Sequence, residues 1–203
     1  MPEMDVEPFT IAIPDAVLSD LRARLRATRW PQASPGEPWQ QGTDLAYLRE
    51  LVAYWTDGFD WRARERELNE LDHFRATLDG VPIHFVHVRA TSGRGTPLIL
   101  THGWPSSFVE LLALVPLLRD TFDLVIPSLP GYGFSERPNR SGIHARYTAS
   151  LWHELMRGLG YDRYGAHGSD WGAGVSTFMA LDDPEPMIGL HLANLDNLIF
   201  VLD

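Results

Sequence analysis

Gly168-Ser169-Asp170-Trp171-Gly172 sets the tightest limit on what this chain can fold into. It follows Tyr164-Gly165-Ala166-His167 and precedes the helical run Ala173 to Leu181, the pattern of a strand that turns sharply into a helix. Small flanking residues let the backbone pass closely and lift the central side chain clear of the sheet. That side chain is Asp170. A serine there would need a base to deprotonate it, whereas a carboxylate of ordinary acidity is already anionic at neutral pH and can attack carbon directly. The positive end of a helix starting at Trp171 favours the charge. Such a group suits displacement at an electrophilic carbon, leaving an alkyl ester on the enzyme. The same five residues also describe an ordinary turn with a helix cap, so a second motif is needed to choose.

The second motif is Thr101-His102-Gly103-Trp104-Pro105, directly after Pro97-Leu98-Ile99-Leu100. A short apolar run, a Gly, and a Pro ahead of the amphipathic stretch Phe108 to Leu118 describe a buried strand turning into a helix. Its backbone N–H groups point into the turn. A Gly-Trp-Pro turn with Trp104 in the core would share the pattern, but two such motifs in this order, about one βαβαβ unit apart, weigh against coincidence.

Around these motifs the chain resembles the N-terminal half of a microsomal-type epoxide hydrolase, from about Pro8 to about Leu192. The leader carries as much of the resemblance as the turns do: Phe9-x-Ile11, Thr28-Arg29-Trp30-Pro31, Trp39-x-x-Gly42, Tyr54-Trp55, Phe59-Asp60-Trp61-Arg62, Leu68-Asn69 and His73-Phe74. Haloalkane dehalogenases share an Asp-Trp-Gly nucleophile turn but not this leader, and stand as a weaker alternative that halide release would test. The resemblance implies an α/β fold: an incomplete α/β-hydrolase sheet, mostly parallel, preceded by a helical meander. It implies hydrolysis of a small-molecule epoxide to a diol, with no cofactor and no metal. Asp170 would be the nucleophile. In this fold the oxyanion hole combines an N–H from the first loop with the N–H after the nucleophile, which here are the main chains of Trp104 and Trp171. Trp104, Trp171, Phe108 and Phe134 would line an apolar pocket.

Family members also need two lid tyrosines and a His paired with an acid to activate water. The order in this fold is nucleophile, acid, His. After Asp170 the only histidine is His191, within Ile188-Gly189-Leu190-His191-Leu192, which reads as a core strand. Asp196 and Asp203 have no histidine after them. The expectation is therefore a chain with a nucleophile and an oxyanion hole but without the water-activating pair, poor at turnover alone. The alternative of a different class is a non-catalytic remnant, a pseudoenzyme or interaction module. Coding sequence beyond Asp203 would separate the two.

Composition narrows the chemistry further. No cysteine is present, which excludes thiol catalysis, disulfides and cysteine-ligated metals. All 17 basic residues are arginine, so a lysine Schiff base and a Walker-type phosphate loop are excluded too. The formal charge of −10 argues against a nucleic-acid partner. The start, Met1-Pro2-Glu3-Met4-Asp5, has neither a basic nor an apolar signal region, and apolar runs are strand-length, so no transmembrane segment and a cytoplasmic location are expected.

The pattern divides into a helical leader, residues 1–72, and a partial hydrolase core, residues 73–203, without lid or C-terminal strands. In the leader, Pro14-Asp15 opens a helix with Val17, Leu18, Leu21 and Leu25 on one face, and Thr43-Asp44 opens another with Leu45, Leu48, Leu51, Val52 and Trp55. Both stripes are expected in the core. The second region starts as a hairpin, His73 to Leu78 and Val81 to Arg89 around Asp79-Gly80. His84 and His87 then point to opposite faces, as ordinary strand residues and a poor metal pair. Strands Leu98 to Thr101 and Asp123 to Pro127, the loop Pro130 to Ser135, a helix from Ala145 to Leu159 and a last strand Ile188 to Leu195 follow. Ser135 lacks the flanks of a nucleophile. The last strand leaves an open apolar edge, expected to self-associate or to accept a complementary fragment.

Overall fold

The computed structural model describes residues 4–194. Contacts divide them into two compact units, residues 11–70 and a unit that joins residues 4–10 to residues 71–194. This differs from the expected division at residue 72. Strand β1 (Val6–Phe9) pairs antiparallel with β2 (His73–Leu78), because an extended segment with a free ladder beside it gains backbone hydrogen bonds that a meander would leave to water.

Within residues 11–70, helices α1 (Asp15–Arg26), α2 (Leu45–Ala53) and α3 (Trp61–Leu68) are linked by polar clamps. Asp44 and Asp60 cap α2 and α3 by accepting from Tyr47 N–H and Ala63 N–H, contacts of about 1 kcal/mol each. The Asn69 side chain closes a reciprocal pair with the backbone of Ile11, 2.9 Å in both directions. Glu65 is buried and accepts from Ile13 N–H at 2.6 Å, the leading cause that holds its carboxyl below the usual range. After α2 a π turn, Tyr54–Gly58, is closed by Phe59 N–H donating to Tyr54 O at 2.8 Å.

The apolar stripes do not form the expected core. Only Leu18 of its stripe is buried, α2 has no buried residue, and Val17, Leu51 and Trp55 are exposed. Leu18, Leu21, Leu51, Tyr54, Trp55 and Phe59 instead border an apolar hollow of about 520 Å³. Helical spacing fixes which side chains share a face and leaves open what covers that face.

The larger unit is a seven-stranded sheet in the order β1-β2-β3-β5-β4-β6-β7, with β3 Val81–Val88, β4 Thr96–Thr101, β5 Phe122–Pro127, β6 Tyr164–Gly168 and β7 Met187–Leu192. The β1-β2-β3-β5 side is antiparallel and the β5-β4-β6-β7 side parallel. It is the α/β-hydrolase arrangement expected from strands alternating with helices. Asp79 and Gly80 both take positive φ, 44° and 76°, as the hairpin turn between β2 and β3 requires. The expected helix over 108–118 is two pieces, a 3₁₀ segment Phe108–Leu114 and the single turn α4 (Val115–Leu118). Pro116 has no N–H to bond back one turn, so an α-helix cannot run through it unbroken.

Helices α5 (Ala145–Gly158) and α6 (Trp171–Asp182) pack together and on the sheet. Trp152 is fully buried there, and its indole N–H donates to Thr101 Oγ1 at 3.1 Å, so the largest core side chain leaves no polar atom unmet. Helix α6 is apolar and buried from Gly172 to Met179, as a helix between sheet and neighbour must be. Strand β7 is the last of the described strands and starts at Met187; Leu195, expected as its end, lies outside the described residues, as do Asp196 and Asp203. Ile188 and Leu190 on it are exposed.

Candidate active site

The two turn motifs leave the sheet from neighbouring parallel strands in register, with Thr101 at the end of β4 opposite Gly168 at the end of β6. This brings 101–105 and 168–172 side by side. Asp170 holds φ 51° and ψ −122°, a conformation costing a non-glycine residue about 1–3 kcal/mol and kept only where surroundings enforce it. Helix α6 begins immediately afterwards, with Ala173 N–H donating to Asp170 O at 3.0 Å.

Two glycines make the close approach feasible. A Cβ on Gly172 would lie 2.1 Å from Thr101 O, and one on Gly103 would lie 2.4 Å from Asp170 Cβ. Any side chain at either position would force the turns apart. With both absent, Trp104 N–H donates to Asp170 Oδ1 at 2.8 Å. The Asp170 side chain is half-buried. As the first residue of α6, Trp171 has no carbonyl one turn back within the helix to accept its N–H.

Both indoles are at the surface, Trp104 65% and Trp171 49% exposed, which removes the alternative of Trp104 as a core residue. Trp171 lines a cleft of about 130 Å³ with Leu129, Pro130, Tyr132, Ile143 and His144. Trp104, Phe108 and Phe134 are not among its lining residues. Phe108, expected to line the pocket, is 1% exposed and packs at 4.9 Å from the His84 ring and 6.0 Å from Phe134, because the 3₁₀ segment turns this residue toward the sheet. Phe134 is half-buried in the same aromatic group, 5.6 Å from Phe9.

The histidines divide by burial. His84 is fully buried between His73 and Ser128, 2.9 Å from each, and burial pushes its pKa down to about 3. Ser135 completes that cluster, accepting from His84 N–H at 3.0 Å and donating to Ser128 O at 2.7 Å, so it is a structural hydroxyl. His87 faces the other way and meets Tyr161 OH at 2.9 Å. His191 lies in β7, the expected strand, but is exposed where a packed core position was expected, and it is bonded to His167 on β6, Nδ1 to Nδ1 at 2.8 Å. Sequence reasoning gave His102 no role. It is fully buried, accepts from Leu129 N–H through Nε2 at 3.1 Å, and places Nδ1 3.1 Å from Gly103 O. The available signal was its position between an apolar strand and a glycine, where a polar ring must find backbone partners.

Comparison with known proteins bears on family and fold. Residues 6–111 match the family model for the epoxide hydrolase N terminus, and residues 96–200 that of the α/β hydrolase fold. A putative epoxide hydrolase of Stigmatella aurantiaca is 45% identical over 92% of this chain and 45% of its own length. Epoxide hydrolase 1 of Sus scrofa is 34% identical over 92% and 44%. Among solved structures, the juvenile hormone epoxide hydrolase of the silkworm Bombyx mori superposes with a TM-score of 0.85 at 32% identity, covering 93% of this chain and 47% of that one. The Aspergillus niger epoxide hydrolase does so with 0.86 at 30%, covering 95% and 53%. The chain spans a little under half the length of these curated relatives. Among the described residues no helix is long and apolar enough to cross a membrane.

Proposed function

The chain belongs to the epoxide hydrolase family of the α/β-hydrolase fold, and from that premise we propose that Asp170 opens small-molecule epoxides by attack on a ring carbon. A lone pair of Asp170 Oδ2 forms the new C–O bond as the ring C–O bond breaks. The released electron pair stays on the former ring oxygen, which takes a proton from solvent water and leaves hydroxide. The product is a hydroxyalkyl ester of Asp170. The Trp104 N–H, already on Oδ1, fixes which oxygen attacks and afterwards holds the ester carbonyl oxygen. When water attacks that carbonyl, the oxygen becomes anionic, and the Trp104 and Trp171 amides stabilise it. Trp171 contributes an indole wall to the substrate cleft.

The observation that carries this reading is the 2.8 Å contact from Trp104 N–H to a carboxylate held at a positive φ on a strand-to-helix turn. Water activation is the step that residues 1–203 do not supply in this proposal. After Asp170 they contain one histidine, His191, which sits in β7, and no tyrosine. A polypeptide of residues 1–203 is expected to stop at the ester. Incubated with an excess of a reactive epoxide, it should gain one equivalent by intact mass and release diol only in trace amounts. Sustained diol release by this polypeptide, or an unchanged mass under conditions that label a longer active relative, would overturn the proposal.

A further inference from the structure

We propose that His102 is a positioning residue that aims the Trp104 N–H at the nucleophile by gripping the other side of the same peptide plane. The Gly103-Trp104 peptide is trans, so its carbonyl and its N–H point in opposite directions and cannot move independently. The carbonyl faces His102 Nδ1 at 3.1 Å, and the N–H faces Asp170 Oδ1 at 2.8 Å. Whatever fixes the first therefore fixes the second.

The tautomer follows from the partners. Leu129 N–H is a donor and approaches Nε2 at 3.1 Å, so Nε2 presents its lone pair. In a neutral ring the proton then resides on Nδ1, where the acceptor Gly103 O requires it. Burial favours that neutral form: the ring is fully buried, and desolvation lowers its pKa. The ring centroid stands 5.5 Å from that of Tyr132 in an edge-to-face arrangement, which limits its rotation. His102 thus joins the turn after β4 to the segment that starts at Leu129 and borders the Trp171 cleft. A tilt of the ring would turn the shared peptide plane and swing the Trp104 N–H off the carboxylate.

The two ring nitrogens can be replaced separately. An asparagine amide overlies Nδ1 and can still donate to Gly103 O. A glutamine reaches the Nε2 position and can still accept from Leu129 N–H. Nitrogen-detected NMR of the unsubstituted polypeptide should show His102 with Nδ1 protonated and Nε2 bare at neutral pH. In His102→Asn the Trp104 amide should keep its protection from hydrogen exchange, and Asp170 alkylation by a reactive epoxide should remain within about threefold, although melting falls because Leu129 N–H loses its acceptor. In His102→Gln melting should suffer less, while Trp104 exchange accelerates and alkylation slows by about tenfold as the carboxylate loses its fixed orientation. The opposite tautomer, or equal loss in two folded variants, would overturn the assignment. The alkylation readout rests on the ester chemistry proposed above; the tautomer and the Trp104 exchange do not. Absence of an Asp170 adduct in the unsubstituted chain would therefore count against that chemistry and leave the positioning role decided by NMR.

Discussion

The paired turns at the ends of β4 and β6 and the helical unit of residues 11–70 are opposite solutions to the same amino-acid vocabulary. At the turns, contact is so close that a single Cβ on Gly172 or Gly103 would lie within 2.1–2.4 Å of its neighbour, and the Trp104 N–H meets Asp170 Oδ1 at 2.8 Å. In residues 11–70 the polar clamps are equally specific, yet the apolar faces of α1 and α2 stay open around a hollow of about 520 Å³. Tight backbone packing makes the first region intolerant of change, and surface exposure makes the second forgiving.

The comparison breaks most directly at Asp170. Asp170→Asn should cut epoxide labelling by at least about a thousandfold while leaving the fold intact, measured by intact mass against circular dichroism. Labelling that survives would assign the chemistry elsewhere. Gly172→Ala comes next, with an expected loss of about 3 kcal/mol in urea unfolding, since neither Thr101 O nor the start of α6 can retreat without breaking the sheet register.

A third effect depends on pH. His84, buried beside His73 and Ser128, has its pKa pushed down to about 3 from an ordinary 6.5. The unfolded chain takes up a proton near 6.5 and the folded chain does not, so stability is complete above that pH and declines as pH falls. The slope from this residue should reach about 1.4 kcal/mol per pH unit between roughly 6.5 and 3. A flat profile in denaturant titrations across that window would show that His84 is not held neutral by burial. The smallest effect is expected in the helical unit: Trp55→Ala, with the side chain 47% exposed, should cost less than about 1 kcal/mol. A loss above about 3 kcal/mol would show that in solution this face is covered.

What the sequence made legible follows the same division. Both turns could be placed because their glycines and the intervening acid constrain the backbone locally, and strand-to-helix geometry needs nothing more than neighbours in the chain. The strand and helix succession of the sheet was readable for the same reason. Burial was not. Val17, Leu51 and Trp55 have the spacing of a core stripe, yet spacing is a property of one helix and burial a property of two surfaces. Phe108 shows the converse, an aromatic residue beside the site that the 3₁₀ segment turns inward to His84. His102 was visible as a letter in the motif, but its partners, Leu129 and the peptide after Gly103, are set by a loop that folds back from β5. Strand β1 was missed because a short segment with mixed exposure has no period of its own to declare it, and only its pairing with β2 makes it a strand.

The central claim is that the carboxylate at the tip of the β6–α6 turn becomes covalently bonded to substrate. Because the chain has no lysine and no arginine after Arg163, trypsin isolates that turn on the peptide that starts at Tyr164. Tandem mass spectrometry of epoxide-treated polypeptide should place the added mass on Asp170 and on no other carboxylate of that peptide. Label on another residue with Asp170 unmodified would contradict the account.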